Sequence, residues 1–320
     1  MLIRIGRAFV LQGGALVAPK ENLMRGITLI LITAFLLAIQ DSVFKLYATT
    51  LSLWQLFALR GLIAMPLFFA LARLQKQPKG IIWQGLSFWP LVRGSFIAIM
   101  LLGFYSTLPF LPLSAAGSAV YVAPIFVAIL SGIFLNEPVR FFGWLGVCVG
   151  FAGVLILLQP GTDAFSPWLL LPLAGAVLYA FAHVITRAKC ADTPLWAMAF
   201  ALNLAMMIAG LLGSLVLYLW QPTLGAELPY LLGQWGTMST FDWGVLLLLA
   251  VFTMTVGMLM AGAYQAAPPA KIATFEYSYL IFAAVVDIVV FAFVPSIFAF
   301  IGMGLIILAG WMVTRTPKSE

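Results

Sequence analysis

Four of the charged residues that lie inside long apolar stretches of this sequence could bind a polar solute. Asp41 and Lys45 are four residues apart, so on a helix their side chains lie one turn apart on the same face. Arg60 and Asp287 lie in two other apolar stretches. A charge near the centre of a bilayer costs about 2.5–3.5 kcal/mol, so such residues face protein or a water-filled cavity. We expect Arg60 or Lys45 to bind a carboxylate or phosphate, and Asp41 or Asp287 to bind an amine or a proton.

Asp41 and Lys45, and two further polar residues, also have simpler interpretations. Asp41 and Lys45 could neutralise each other within one helix, with Lys45 extending outwards to the membrane surface. Glu276 is either a ligand or an acid that extends to the nearer surface. His183, the single histidine of the chain, could carry protons near neutral pH or could simply be hydrogen-bonded.

The composition places these residues in a membrane. Of 320 residues, 64% are hydrophobic and 8% are charged, whereas a soluble domain carries roughly a quarter charged residues. The mean hydropathy is +1.12. These values exclude a soluble enzyme, a nucleic-acid-binding protein and a disulfide-rich secreted protein. They predict a protein whose solvent is lipid.

Ten apolar stretches are long enough to cross a bilayer, for which a helix needs about 20 residues. They lie near residues 25–47, 53–74, 91–110, 114–135, 140–158, 168–188, 195–219, 242–265, 272–293 and 297–314. The sequence therefore predicts an all-α membrane protein with ten transmembrane helices. Short connections between several of them predict antiparallel neighbours.

The basic residues predict the orientation of these helices. If the N-terminus faces the cytoplasm, every Lys and Arg except Lys45 and Arg60 lies on or beside the inner surface, Arg93 among them. The charged residues of the outer connections at 159–167 and 220–242 are all acidic. By the positive-inside rule, both termini are cytoplasmic.

The two halves of the chain carry matching residues in the same order, which predicts an internal duplication. Five helices per half is an odd number, so the second half begins on the opposite side and the two repeats are inverted. Inverted repeats are typical of alternating-access transporters, with the solute site between the halves. The matched pairs are Asp41 and His183, Lys45 and Arg187, Trp54 and Trp196, Gly103 and Gly262, Tyr105 and Tyr264, Pro109 and Pro268, Pro138 and Pro295, and Gly153 and Gly310.

The order of features over residues 25–314 resembles the EamA branch of the drug/metabolite transporter superfamily. The resemblance implies two inverted five-helix repeats that move small organic metabolites across a bacterial inner membrane, often as exporters. One departure is Val294-Pro295, where the second repeat of the family commonly has a Glu-Pro turn. The residues that carry the resemblance are Asp41, Lys45, Arg60, Arg93, Pro124, Asn136-Glu137-Pro138, Gly146, Gly150, Gly153 and Glu276-Tyr277.

This resemblance divides the chain into segments. Residues 1–24 are expected to be an N-terminal cytoplasmic or interfacial extension, with a poor signal peptide as the alternative. Residues 25–158 form the first EamA-like repeat, 159–166 an outer linker, 167–314 the second repeat and 315–320 a C-terminal tail. The glycines Gly146, Gly150 and Gly153 predict a close helix-packing face, either a scaffold contact or a homodimer contact.

Tyr105 and Tyr121 lie in helices that line the cavity in this family, where aromatic walls suit an amphiphilic, partly planar metabolite. The chain shows no nucleophile motif, metal cluster or cofactor loop, so we expect no enzyme activity, no metal and no cofactor. We expect a secondary transporter of an amino-acid-like or aromatic zwitterion, working by export and with possible proton coupling. The alternatives are uptake of a metabolite such as S-adenosylmethionine or riboflavin, and a polytopic membrane enzyme or lipid-handling protein.

Overall fold

The computed structural model describes residues 22–47, 51–77, 80–111, 113–135, 141–158, 166–220, 225, 227–293 and 296–314, and this part of the chain is helical without a β-strand. The first half contains α1 (Leu23–Tyr47), α2 (Leu53–Leu74), α3 (Ile81–Gly85), α4 (Phe88–Tyr105), α5 (Leu113–Val120), α6 (Ala123–Phe134) and α7 (Phe141–Leu158). The second half contains a 3-10 turn (Pro167–Leu169), α8 (Leu170–Lys189), α9 (Leu195–Trp220), α10 (Pro229–Leu232), α11 (Thr240–Ala266), α12 (Pro269–Glu276), α13 (Ser278–Phe291) and α14 (Ile297–Thr314).

Seven helical segments of the described residues are long and apolar enough to cross a membrane. They confirm the prediction of an all-helical, multi-pass membrane protein. Ten transmembrane helices stay a prediction, because the apolar helices at Ala123–Phe134, Phe141–Gly153 and Phe300–Ala309 are shorter. Residues 1–21 and 315–320 of the predicted terminal segments, the outer linker except Ser166, and the Glu137-Pro138 and Val294-Pro295 turns lie outside the described residues. The seven segments are Leu23–Tyr47, Leu53–Leu74, Phe88–Tyr105, Pro167–Lys189, Leu195–Trp220, Thr240–Ala266 and Pro269–Phe291.

Local sequence signals set several helix ends. Ser239 and Asp242 form a capping box at the start of α11, each side chain accepting a hydrogen bond from the other residue's backbone N–H. The Ser52 side chain accepts from the backbone N–H of Gln55 at the start of α2. At the C-terminal end of α13, Ala292 has a φ of 53°, a left-handed conformation that ends the helix.

Helices of the two halves pack in matched pairs. Helix α7 packs on α14, and α2 packs on α9. Helix α4 packs on α8 and α9, and in the same way α11 packs on α1 and α2. Exchanging the first half for the second therefore reproduces these helix contacts.

The fourth apolar stretch of each half is interrupted at a tyrosine. Helix α5 ends at Val120, and α6 begins at Ala123 after a turn that contains Tyr121. Helix α12 ends at Glu276, and α13 begins at Ser278 after the single turn residue Tyr277. The rings of Tyr121 and Tyr277 have centroids 6.2 Å apart. The two interruptions therefore meet inside the protein.

Glycines permit the closest helix contacts. A Cβ added at Gly210 of α9 would clash with the backbone nitrogen of Ala58 in α2 and would lie 2.8 Å from its Cα atom. A Cβ added at Gly150 of α7 would clash with the ring of Tyr277. Gly150 thus makes a packing contact within the chain, and the homodimer contact stays a prediction.

Candidate functional site

A chamber lies between helices of both halves, at the interruption that contains Tyr121. Its volume is about 80 Å³, which is room for several water molecules at roughly 10–15 Å³ each. Most of its wall is apolar, with side chains from α1, α4, α5, α8, α9, α11 and α13. The polar residues that line it are Gln40, Asp41, Arg93, Tyr121, Tyr179, Thr253 and Tyr279.

Asp41 presents a buried carboxylate to this chamber. Its side chain is 4% exposed. The Tyr105 hydroxyl donates to Oδ1 over 2.8 Å, and the Tyr279 hydroxyl donates to Oδ2 over 2.9 Å. Hydrogen bonds to a carboxylate are stronger than those between neutral groups, so two phenols fix the position of this charge.

A second layer of contacts holds Tyr105 in place. Gln40 Nε2 donates to the Tyr105 hydroxyl over 2.9 Å, and Gln40 Oε1 lies 3.3 Å from the Thr253 hydroxyl. The ring of Tyr105 stacks on Phe44 with centroids 4.0 Å apart. The sequence predicts that both Tyr105 and Tyr121 line a cavity. Tyr121 lies on the chamber wall, whereas Tyr105 lies behind the wall and is bonded to Asp41.

We expect Tyr279→Phe to lower the free energy of unfolding by about 1.5–3 kcal/mol, the usual contribution of a hydrogen bond to a charged group. The change removes the hydroxyl that donates to Asp41 and leaves the ring stacked on Tyr121, whose centroid lies 5.3 Å away. Thermal and denaturant unfolding of the purified protein measures the loss. Tyr218→Phe is the matched control, because the Tyr218 side chain is 65% exposed. Equal stability of the two variants would contradict this role of Tyr279.

Arg60 lies behind the Asp41 network and does not line the chamber. Its guanidinium packs over the rings of Phe44 and Phe57, and the guanidinium carbon Cζ lies 4.8 and 5.0 Å from the two ring centroids. One terminal nitrogen contacts the Met206 sulfur at 3.3 Å, and the other has no hydrogen-bond partner among the described residues. The aromatic rings stabilise this cation, and the Asp41 carboxylate interacts with it electrostatically.

Lys45 and Asp287 also lie outside the chamber wall. Lys45 Nζ donates to the carbonyl oxygen of Leu111 over 2.9 Å and lies 5.0 Å from the ring centroid of Phe291. The buried carboxylate of Asp287 is close enough to Lys45 to interact with it electrostatically. Lys45 therefore interacts with an acid on another helix, and the simple intrahelical pair with Asp41 does not describe its contacts.

His183 and Glu276 form a second buried group. The His183 ring stacks on Tyr264 with centroids 3.8 Å apart, and both of its nitrogens lack a hydrogen-bond partner among the described residues. The Tyr264 hydroxyl donates to Glu276 Oε1 over 2.6 Å, while Glu276 Oε2 has no such partner. Glu276 is therefore buried inside the protein and does not extend to the surface.

Arg93 is one of the chamber residues that sequence reasoning did not assign to the site. The count of basic residues assigned it to the inner surface, yet its side chain is 1% exposed and lines the chamber. Its position in the first turns of α4 is compatible with either environment, so the charge pattern alone could not separate them. The sequence offered two further signals of a polar site. Gln40 is next to Asp41, and Thr253 is a polar residue inside an apolar stretch.

Comparison with known proteins gives matches to membrane transporters. Residues 24–159 match the model of the EamA-like transporter family. The S-adenosylmethionine uptake transporter of Rickettsia prowazekii is 23% identical over 65% of this chain and 65% of its own length. The riboflavin transporter of Vibrio cholerae is 26% identical over 62% of each chain. The aligned segments thus span less than two thirds of these two relatives.

Two further similarities extend over almost the whole chain. The pseudopaline exporter of Pseudomonas aeruginosa is 23% identical over 93% of this chain and 99% of its own length. A crystal structure that is 18% identical superposes with a TM-score of 0.66, covering 91% of this chain and 96% of that one. Together with the seven apolar helices, these similarities support a multi-pass membrane protein whose residues 24–159 match the EamA-like transporter family.

Proposed function

We propose that the protein is a secondary transporter that carries a small organic metabolite by alternating access through the chamber at Asp41. The observation that carries this proposal is the pair of interrupted helices whose turns, at Tyr121 and Tyr277, meet beside the chamber. Paired interruptions at corresponding positions of two halves are the best indication of a transporter binding site. Backbone that leaves a helix inside a membrane must line a cavity or be buried in protein.

The matched contacts of the two halves support an inverted repeat of five helices each. The sequence overlay pairs Asp41 with His183, and Tyr105 with Tyr264. Asp41 is hydrogen-bonded to Tyr105, and correspondingly His183 stacks on Tyr264.

The overlay also pairs Lys45 with Arg187, and these two basic residues make similar contacts. Lys45 donates to the carbonyl oxygen of Leu111, in the turn that follows α4. Arg187 donates over 3.0 Å to the carbonyl oxygen of Gln265, in the last turn of α11. Both bonds reach the chain near the end of the third apolar stretch in each half. The correspondence favours a duplication over a chance likeness of apolar helices.

The proposed orientation places both termini in the cytoplasm of a bacterial cell, with the protein in the inner membrane. The distribution of Lys and Arg along the sequence supports it. The His183 group and the Asp41 group would then lie at different depths, because Asp41 and His183 occupy inverted repeats.

The proposed substrate is a zwitterionic metabolite with an amino-acid-like or aromatic body. The chamber wall offers a carboxylate at Asp41, a guanidinium at Arg93 and the rings of Tyr121 and Tyr279. Few polar groups in a mostly apolar cavity fix the orientation of a small ligand. The relative that aligns over nearly its whole length is an exporter, which favours export. Uptake is the second direction, because two other relatives are an uptake transporter and a riboflavin transporter.

Counterflow in proteoliposomes tests the carrier mechanism. Vesicles that contain purified protein and an excess of one unlabelled metabolite are diluted into a trace of the same labelled compound. Across a panel of amino acids, opines and nucleoside-containing zwitterions, we expect at least one compound to accumulate transiently and to saturate. Flux that rises linearly with concentration and shows no transient accumulation would contradict a carrier and favour a channel.

We further expect an imposed pH gradient to change the rate of transport. Asp41 and Glu276 are buried carboxyl groups without a basic hydrogen-bond partner among the described residues, and acidic residues inside membrane helices commonly carry protons in transporters. Counterflow and net flux are measured with the pH equal on both sides and with one unit of difference. Net flux that is identical in both conditions would exclude proton coupling.

A further inference from the structure

We infer that the substrate is an elongated zwitterion, whose anionic group binds Arg93 and whose cationic group binds Asp41 at the other end of the chamber. This inference rests on the proposed transport function and adds the class and the shape of the solute. Arg93 is thereby a binding residue, in addition to any effect of its charge on membrane orientation.

The side chain of Arg93 is held in place but is incompletely bonded. Its Nε donates to the Thr186 hydroxyl over 2.7 Å, and Thr186 in turn donates to the carbonyl of Ala182. The two terminal nitrogens, Nη1 and Nη2, are buried and have no hydrogen-bond partner among the described residues. These are the two nitrogens with which a guanidinium binds a carboxylate or phosphate in a bidentate manner.

Within the described part of the chain, the surroundings of Arg93 supply no anion in contact with those nitrogens. The described groups that interact with Arg93 electrostatically are Tyr179, Cys190 and His183. Side chains of these three types are ordinarily not negatively charged at neutral pH. A buried cation without a counter-ion is costly in a membrane protein, so it typically marks a solute path. An anionic solute group would stabilise it.

The chamber extends along one face of α4 from Arg93 towards Asp41. Arg93, Ile97, Leu101 and Phe104 line it at intervals of three or four residues, which is the spacing of one helix face. Asp41 lies near the far end of this face, because its carboxylate is bonded to Tyr105. Arg93 and Tyr105 are twelve residues apart on α4, which corresponds to about 18 Å along the helix axis.

This separation selects the shape of the solute. In an α-amino acid the amino nitrogen and the carboxylate carbon are joined through a single carbon, by two bonds of about 1.5 Å. Such a short zwitterion contacts both Asp41 and Arg93 only if the Arg93 and Tyr105 side chains lean towards each other, whereas a longer solute spans the two positions without this rearrangement. A solute that uses both charges has them at opposite ends of an apolar or aromatic body, which fits the wall between them.

Binding of α,ω-amino acids to the purified full-length protein tests this inference by calorimetry. The probes are glycine, 6-aminohexanoate, 8-aminooctanoate and 11-aminoundecanoate, each with its carboxamide analogue. We expect the best long probe to bind at least about tenfold more tightly than glycine, and about tenfold more tightly than its own carboxamide, since the latter lacks the charge for Arg93.

Variants then identify the residue that recognises the carboxylate. Arg93→Gln is expected to bind the acid and the carboxamide with the same affinity, whereas Arg93→Lys keeps a preference for the acid. Arg73→Gln is the matched control, because Arg73 is exposed at the end of α2. A purely structural role of Arg93 would instead weaken both probes equally.

The outcomes separate this inference from the transport proposal. Equal binding of glycine and the long probes, no binding of any probe, or equal binding of acid and carboxamide to the wild type overturns the elongated zwitterion. None of these comparisons requires a folded Arg93 variant. If the protein still shows saturable counterflow of another compound, only this inference fails. If no compound in the metabolite panel shows counterflow, the transport proposal itself fails.

Discussion

Asp41→Asn is expected to lower the apparent affinity for the transported solute by roughly 10- to 100-fold. The variant keeps the shape of the side chain and removes the negative charge that faces the chamber. An interaction with a charged group contributes about 1.5–3 kcal/mol, and about 1.4 kcal/mol corresponds to tenfold in affinity. The concentration that gives half-maximal counterflow in proteoliposomes measures this loss.

Two comparisons make the Asp41 result specific. Asp192→Asn is the matched control, because Asp192 is exposed in the turn between α8 and α9. Asp41→Glu keeps the charge and lengthens the side chain, so we expect it to lose less affinity than Asp41→Asn. An Asp41→Asn variant that folds, elutes as the wild type does and transports with unchanged half-saturation would refute the role of this carboxylate in binding.

Gly210→Ala is expected to destabilise the protein by about 3 kcal/mol, at the upper end of the cost of overpacking a core. The added methyl group would clash with the backbone of Ala58, so neither helix can adjust by changing a rotamer. Helices α2 and α9 must separate to make room for the methyl group. Their contact joins the two halves and is one of the helix contacts that are reproduced when the halves are exchanged. Denaturant unfolding in detergent and the yield of monodisperse protein measure the effect.

Gly132→Ala is the control for this steric argument. Gly132 lies within α6, and a Cβ added there meets no atom within 4 Å. Alanine in place of a helical glycine stabilises by roughly 0.5–1 kcal/mol, so this variant is expected to unfold at or above the wild-type midpoint. If both glycine variants had the same stability, the close approach of α2 and α9 would not be a determinant of the fold.

The membrane environment could be predicted from the sequence. Hydropathy predicts where helices cross, because each one must bury its own backbone hydrogen bonds in lipid. Asp41 was assigned to a cavity from its depth in an apolar stretch, and Tyr121 from the family resemblance. Both line the chamber, and their roles in binding stay predictions.

The other charges show why the site could not be fully predicted. Arg60, Lys45 and Asp287 were grouped with Asp41 by depth alone. Depth along a helix does not give the direction of a side chain. Some of the partners come from other parts of the chain: Phe44 of α1 packs on Arg60, and Leu111, in the turn after α4, accepts from Lys45. Tertiary packing therefore decides which charges meet the chamber.

The interruptions at Tyr121 and Tyr277 also escaped the sequence analysis. A window of about 20 residues averages over a single turn, so it shows one apolar stretch where the chain has two short helices. Pro124 follows the first interruption and Pro269 begins α12, but proline is frequent in transmembrane helices and does not by itself mark a break.

A cysteine introduced into the chamber would report its access from each side of the membrane. Ile97 is suitable, because it lines the chamber between Arg93 and Asp41 and carries no polar contact. The native cysteines are both free thiols, with Cys148 exposed and Cys190 buried. Burial raises the pKa of the Cys190 thiol, so it reacts slowly at neutral pH. Replacing both with alanine gives the background for Ile97→Cys.

The most direct test of alternating access is labelling of this cysteine by a membrane-impermeant thiol reagent in right-side-out and inside-out vesicles. We predict that Ile97→Cys is labelled in both vesicle orientations, and that a solute active in counterflow slows labelling in both. Labelling from one face only, at a rate that such a solute leaves unchanged, would contradict a chamber that opens alternately to the two sides.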